Sequence, residues 1–214
     1  MTETAADETS DDSDGTLCTG VLTIASDRSL ETDEPGEALT EILEADGNEV
    51  TVREHVGPDH DTVQSIVSRL IDRNDVHVVL TAGATGVEST DVAIEAVAPL
   101  LDKELATFSE LFTVLAYDRV GTSAVTARTL AGIADETPVF CLPGNADAVR
   151  LALEEIVLSE APEIIDCLRE DEPDTEDDDN AEDDLDAAAD DDAENDPDAA
   201  AGDPTEVDAT DGGA

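Results

Sequence analysis

The stretch from Val76 through Gly86, closed by Asp91, narrows the folds open to this chain more than any other. Val78, Val79 and Leu80 form a short apolar run followed by turn-forming residues, the mark of a strand buried on both faces, as in a parallel sheet. Thr81-Ala82-Gly83-Ala84-Thr85-Gly86 then brings two glycines able to take positive φ, with side chains small enough to leave backbone N–H groups open to an anion. Asp91 follows five residues later and opens an apolar helical run through Val92, Ala93, Ile94, Ala96 and Val97. Its carboxylate is therefore expected beside the loop. A carboxylate there repels phosphate unless a cation lies between them, and Mg²⁺ is the usual one. A tight strand-to-helix turn with Asp91 as N-cap accounts for the same residues without any ligand. On these residues alone both readings stand.

The rest of the chain repeats the pattern. Leu17 to Ser26 reads as a first strand with Asp27-Arg28 at its carboxyl end. Pro35 and Gly47 bracket a helix. Val50, Val52 and Val56 alternate as a second strand. It ends in Gly57-Pro58-Asp59, and Asp59 precedes a helix carrying Val63, Ile66, Val67 and Leu70, where N-capping is its simplest role. Lys103-Glu104-Leu105 reads as a connector. Phe108, Leu111, Phe112 and Leu115 mark a helix that contains Glu110, at what is ordinarily a solvated position. Gly121-Thr122-Ser123 is predicted to open another helix through Val125, Leu130 and Ile133, with Arg128 near its middle. Hydroxyls and N–H groups at a helix start suit an anion, and arginine grips phosphate at two points, although capping plus a surface arginine serves equally well. Pro138 to Leu142 is the last strand, ending in Pro143-Gly144-Asn145, with a final helix from Ala148 to about Leu168.

Four strands, each followed by a helix, predict an α/β fold: a three-layer α/β/α sandwich with a mostly parallel sheet. Open α/β sheets bind ligands at the carboxyl ends of their strands. Asp27, Asp59, the Gly83 to Gly86 loop, Asp91 and Gly144 all fall there.

Charge divides the chain into three. Of its 57 acidic residues, 22 lie in 170–214 and six in 1–15, and neither segment holds a basic residue. Such segments bury too little apolar surface to offset their ordering entropy, so 1–15 and 170–214 are expected to be disordered around one domain at 16–169. That domain keeps 29 acids against nine basic residues, with Lys103 the single lysine. Acid excess with lysine depletion is the surface chemistry of halophilic proteins, in which salt screens self-repulsion, and it predicts a cytoplasmic protein of a high-salt cell. The same surface argues against nucleic acid or anionic membrane as partners. No signal peptide or apolar run of spanning length is present. Cys18, Cys141 and Cys167 are widely spaced in apolar contexts and read as buried free thiols.

Several motifs, in this order, resemble the MoaB/Mog family of molybdenum-cofactor biosynthesis proteins. They are Ser26-Asp27-Arg28, Pro58-Asp59, the glycine-rich loop with Asp91, Leu100-Leu101-Asp102-Lys103-Glu104-Leu105, Phe108-Ser109-Glu110, Gly121-Thr122-Ser123 with Arg128, and Leu142-Pro143-Gly144-Asn145. The resemblance covers about residues 16–168. It implies a molybdopterin-binding domain that adenylates molybdopterin with ATP and Mg²⁺ and releases pyrophosphate. It also implies assembly as a homotrimer or homohexamer, with the molybdate-inserting enzyme as a possible partner. Under it, Asp59 and Asp91 match the carboxylates assigned to metal binding and catalysis. Gly83, Ala84, Thr85, Gly86, Ser123 and Gly144 match positions lining the pterin and nucleotide pocket, and Asp27, Glu110, Arg128 and Pro143 stand in motifs beside them.

Two departures bear on activity. Ala82 and Ala84 replace Thr and Gly of the common family loop, and Thr90 stands where an arginine often precedes the aspartate. A non-catalytic molybdopterin-binding or scaffold protein is accordingly an alternative, and a CinA-type pyrophosphatase domain a further one.

Overall fold

Side chains alternate across a strand with a period of two, and that alternation sets the layers here. On the central strand β3 (Val78–Ala82), Val78, Leu80 and Ala82 enter one apolar cluster while Val79 enters another. On β6 (Thr137–Leu142), Phe140 and Leu142 join the first cluster, Val139 and Cys141 the second. The first cluster is covered by α1 (Glu34–Ala45), α4 (Ala106–Val120) and the C-terminal helix; the second by α2 (His60–Ile71) and α3 (Ala93–Val97). The computed structural model describes residues 16–170, so the acidic segments expected to be disordered lie outside the described residues, except that Glu170 closes the last helix.

The sheet has six strands in the order β2 (Glu49–Val56), β1 (Cys18–Ile24), β3, β6, β5 (Leu130–Ala134), β4 (Lys103–Glu104). β1 (Cys18–Ile24) pairs in parallel with β2 (Glu49–Val56) on one side and with β3 on the other, and β3 pairs in parallel with β6. Leaving β1 the chain moves outward to β2, then crosses back to β3. This reversal opens a crevice at the carboxyl ends of β1 and β3, the place where such sheets take ligands.

The other two strands correct the sequence reading. Leu130–Ala134, predicted to be helical, is β5, antiparallel to β6, and Gly121–Thr126 is a 3₁₀ turn. Leu130 and Ile133 fit helical spacing, but a short apolar run carries no decisive period. What decides is close pairing: a Cβ on Gly132 would stand 2.5 Å from the Lys103 carbonyl oxygen. Lys103–Glu104, read as a connector, is the short edge strand β4 against β5. Asp135 and Glu136 both take positive φ, 46° and 62°, which matches the mirror-image turn favoured in two-residue hairpins.

The C-terminal helix is continuous but irregular. α5 (Ala146–Ala152) passes through a π segment, Leu153–Val157, into α6 (Leu158–Glu170), which contains Pro162. All three cysteines are free, but only Cys141 is buried; Cys18 is half-buried and Cys167 exposed, against the expectation of three buried thiols. Cys167 sits on the polar face of α6, where sequence context alone misleads. Burial pushes the Cys141 thiol up to about 12, which makes it a packing group and not a nucleophile. Among the described residues no helix is long and apolar enough to cross a membrane.

Candidate functional site

Three strand ends meet with no side chain between them. Gly83, the first residue after β3, has φ +109°, and a Cβ there would overlap the Ile24 carbonyl oxygen at the end of β1. A Cβ on Gly144, after β6, would lie 2.8 Å from the Gly83 Cα. Gly83 also donates its N–H to the Leu142 carbonyl at 3.0 Å. Glycine is required at both places by contact, and at Gly83 by conformation as well.

The loop then climbs over α3. Ala84 holds φ 52°, a left-handed conformation unusual for a residue with a Cβ, and its carbonyl accepts from the Ala93 N–H at 2.9 Å. Asp91 is not the N-cap of α3; Val92 holds that place. Instead Asp91 folds back, its Oδ2 accepting from the Glu88 N–H at 2.8 Å and standing 2.6 Å from where a Cβ on Gly86 would be. Helix capping therefore does not explain this aspartate. The carboxylate lies against the glycine loop, and its Oδ1 has no protein hydrogen bond among the described residues.

A cleft of about 1150 Å³ opens above this junction. Asp27, Gly83, Ala84, Thr85, Gly86 and Asp91 line it together, as do Ser123, Pro143 and Gly144. The carboxyl ends of all four parallel strands contribute, as the strand-end motifs predict. Its volume exceeds the roughly 1000 Å³ at the upper end of common ligand pockets, which leaves room for two small molecules.

Three sequence candidates stand apart from the lining. Asp59 is exposed at the N-cap of α2, its Oδ1 accepting from the Thr62 hydroxyl at 2.6 Å and the Thr62 N–H at 3.0 Å; Pro58 beside it reaches the cleft. Those two bonds, the hydroxyl's first, hold the Asp59 carboxyl below the usual carboxylate range. Glu110 is exposed on α4 and does not line the cleft. Arg128 is turned to the protein: Nη1 donates to the Gly86 carbonyl at 3.0 Å and Nη2 to Glu95 Oε1 at 2.6 Å, which lowers the Glu95 pKa. It braces the loop from behind. Residues that sequence reading passed over include Glu88, Arg119 and Arg150, all cleft-lining. Lone charged residues in a loop or on a helix carry no local signal of this, because only the packing of distant elements brings them together.

His60, next to Asp59, is raised above the ordinary 6.5 chiefly by its hydrogen bond to Asp61, with the Glu95 carbonyl and nearby charges assisting against desolvation. Its protonated form is favoured by folding, so this stabilising contribution is full below 6.5 and is lost as pH rises through the higher folded value. Asp61→Asn is expected to move the His60 titration midpoint back toward 6.5, read by NMR of the imidazole protons.

Comparison with known proteins decides the family. A model described as a probable molybdopterin binding domain matches residues 15–163. Molybdenum cofactor biosynthesis protein B of Bacillus cereus is 42% identical over 141 residues, covering 65% of this chain and 83% of that protein. The protein of the same name from Staphylococcus aureus is 37% identical over 153 residues, 70% of this chain and 90% of that one. This chain belongs to the MoaB/Mog family. A crystal structure of a molybdenum cofactor biosynthesis protein B superposes with a TM-score of 0.71 at 39% identity, covering 72% of this chain and 97% of that one. The tungsten cofactor synthesizing protein MoaB from Pyrococcus furiosus superposes at 0.64 and 33% identity, covering 72% and 98%. The MoaB/Mog match spans the domain that holds the cleft and stops short of the acidic C-terminal segment. The chain is thus a molybdenum-cofactor biosynthesis protein, and the α/β layering expected from its strand-and-helix rhythm is that of the family.

Proposed function

We propose that this MoaB/Mog protein binds molybdopterin and ATP in the one cleft and transfers the adenylyl group to the pterin's terminal phosphate. An oxygen of that phosphate attacks the α-phosphorus of ATP, the bond from the α-phosphorus to the bridging oxygen of the β-phosphate breaks, and pyrophosphate leaves. The observation that carries the reading is Asp91 folded against Gly86 in the lining of a cleft of about 1150 Å³. Backbone N–H groups of the Gly83 to Gly86 loop suit one phosphate, and holding the two reactants in line supplies much of the rate.

Asp91, with Glu88 beside it, fits Mg²⁺. That ion needs only one or two hard carboxylate oxygens and takes its other ligands from substrate phosphates and water. The lack of any cluster of three or more metal-type ligands among the described residues is therefore no obstacle. Bound there, Mg²⁺ would neutralise negative charge growing on the leaving pyrophosphate. Asp59 lies outside the cleft lining, with Oδ1 spent on Thr62, so its part is to fix the start of α2 and the Pro58 wall. Mixing the full chain with molybdopterin, ATP and Mg²⁺ in molar KCl and measuring pyrophosphate tests the proposal. Pterin binding without pyrophosphate would favour the scaffold reading, which the strained Ala84 supports.

The strain at Ala84 is itself measurable. Left-handed φ costs a residue with a Cβ about 1–2 kcal/mol, and glycine gives back part of that relief through its freer unfolded chain. Ala84→Gly is expected to stabilise the fold by about 0.5 kcal/mol in a denaturant titration. It should also lower the Michaelis constant for the pterin substrate, by opening the backbone to the phosphate.

A homotrimer or homohexamer accompanies this function in our reading. Leu111, Val114, Tyr117 and Val120 recur at three-residue spacing on α4, all about half exposed or more. A second copy of the chain would cover such a face. Val114→Asp is expected to shift the light-scattering mass to that of a monomer in high salt.

A further inference from the structure

Cations are scarce on this chain, nine against 57 acids, so a phosphate-bearing ligand meets repulsion over most of the surface. Three of the nine nevertheless line the cleft: Arg28 after β1, Arg119 on α4 and Arg150 on α5. They come from elements far apart in sequence, and the fold gathers them at the carboxyl edge of the sheet.

Each guanidinium is steered without being saturated. Arg28 donates from Nη1 to the Gly144 carbonyl at 3.2 Å, with Asp27 3.5 Å from its Nε. Because Gly144 packs on Gly83, Arg28 is anchored at the glycine junction itself. Arg119 is held by Glu155 at 3.6 Å and Arg150 by Glu41 at 3.4 Å, and neither carboxylate belongs to the cleft lining. These are long single contacts, while a guanidinium carries five N–H donors in a fork that fits phosphate oxygens. Asp147 and Glu154 line the cleft about one turn to either side of Arg150 and weaken its pull, as Asp27 does for Arg28, whereas the partner of Arg119 lies outside the lining.

We infer that Arg28, Arg119 and Arg150 form a second phosphate subsite in this cleft, one that takes a diphosphate or triphosphate group by guanidinium contacts. The inference rests on the two-substrate reading: the glycine loop serves one phosphate, and the second polyanion needs positive charge from the protein besides any cation that Asp91 holds.

Inorganic pyrophosphate is the probe. Calorimetry on the full chain in molar KCl with EDTA is expected to show pyrophosphate binding without Mg²⁺. Arg28→Gln and Arg119→Gln each lower affinity about tenfold, and substitution of all three arginines removes binding. Arg119→Lys retains charge but not the fork and recovers only part of the loss. Arg69→Gln, whose partner is Glu54 outside the cleft, changes nothing. The Arg119 side chain is 64% exposed, so its single variant keeps the fold and carries the test should the triple variant not fold. Titrations with ATP and with a pterin monophosphate then name the source, since the ligand whose affinity falls in the glutamine variants is the occupant. Unchanged pyrophosphate affinity in those variants overturns the subsite even if adenylyl transfer is observed. Arginine-dependent pyrophosphate binding without any turnover keeps the subsite and overturns adenylyl transfer alone.

Discussion

Asp91→Ala is expected to lower pyrophosphate release by at least about a hundredfold while leaving the fold intact. The side chain makes one hydrogen bond, from the Glu88 N–H, so its loss costs stability about 1 kcal/mol at most. The electrostatic loss is larger, because this carboxylate is the charge proposed to hold the cation beside the glycine loop. Circular dichroism and a denaturant titration establish the fold, and a coupled pyrophosphate assay reads the rate. A normal rate in this variant would exclude Asp91 from metal binding and catalysis alike. Asp91→Asn, which keeps the acceptor for Glu88 but not the charge, is expected to fail nearly as badly, and this separates charge from loop geometry.

Gly83→Ala is the second large expectation, and here the fold itself suffers. A methyl group at Gly83 meets the Ile24 carbonyl oxygen at φ +109°, where backbone faces backbone and no flexible side chain can yield. We expect a loss of about 3 kcal/mol in denaturant titrations, with ligand binding abolished as the strand ends part. Gly47 provides the contrast. It also has positive φ, +85°, but a Cβ there meets nothing within 4 Å. Gly47→Ala therefore isolates the conformational component, about 1 kcal/mol. Equal losses at the two glycines would show that the β1–β3–β6 junction is not the close contact described.

The strand-and-helix rhythm made much of this architecture readable in advance. β1, β2, β3 and β6 were each announced by apolar runs ending in Gly, Pro or Asp, and the parallel crossovers then follow from right-handed connection rules. Leu130–Ala134 was not readable. Its apolar spacing suits helix and strand alike, and it becomes a strand because β6 offers an open edge and Gly132 permits close approach of Lys103.

The site divides along the same line. Glycine positions, strand ends and the carboxylate after the loop are local properties, so the chain alone could place Gly83, Gly86, Asp91 and Gly144 at the strand-end cleft that they line. The direction in which a side chain is spent is not local. Asp91 could be read as a helix cap or as a cation ligand and is folded onto Gly86 without capping; Arg128 could be read as a phosphate ligand or a surface arginine and braces the Gly86 carbonyl; Asp59 caps α2 through Thr62, the simplest role its position offered. Arg119 and Arg150 had no signal at all, because their meaning lies in which other element faces them. Sequence determined where the backbone must bend, since φ and steric room belong to single residues, whereas tertiary packing decided which charges share a cleft, since Coulomb interactions depend on distances that the chain order does not contain.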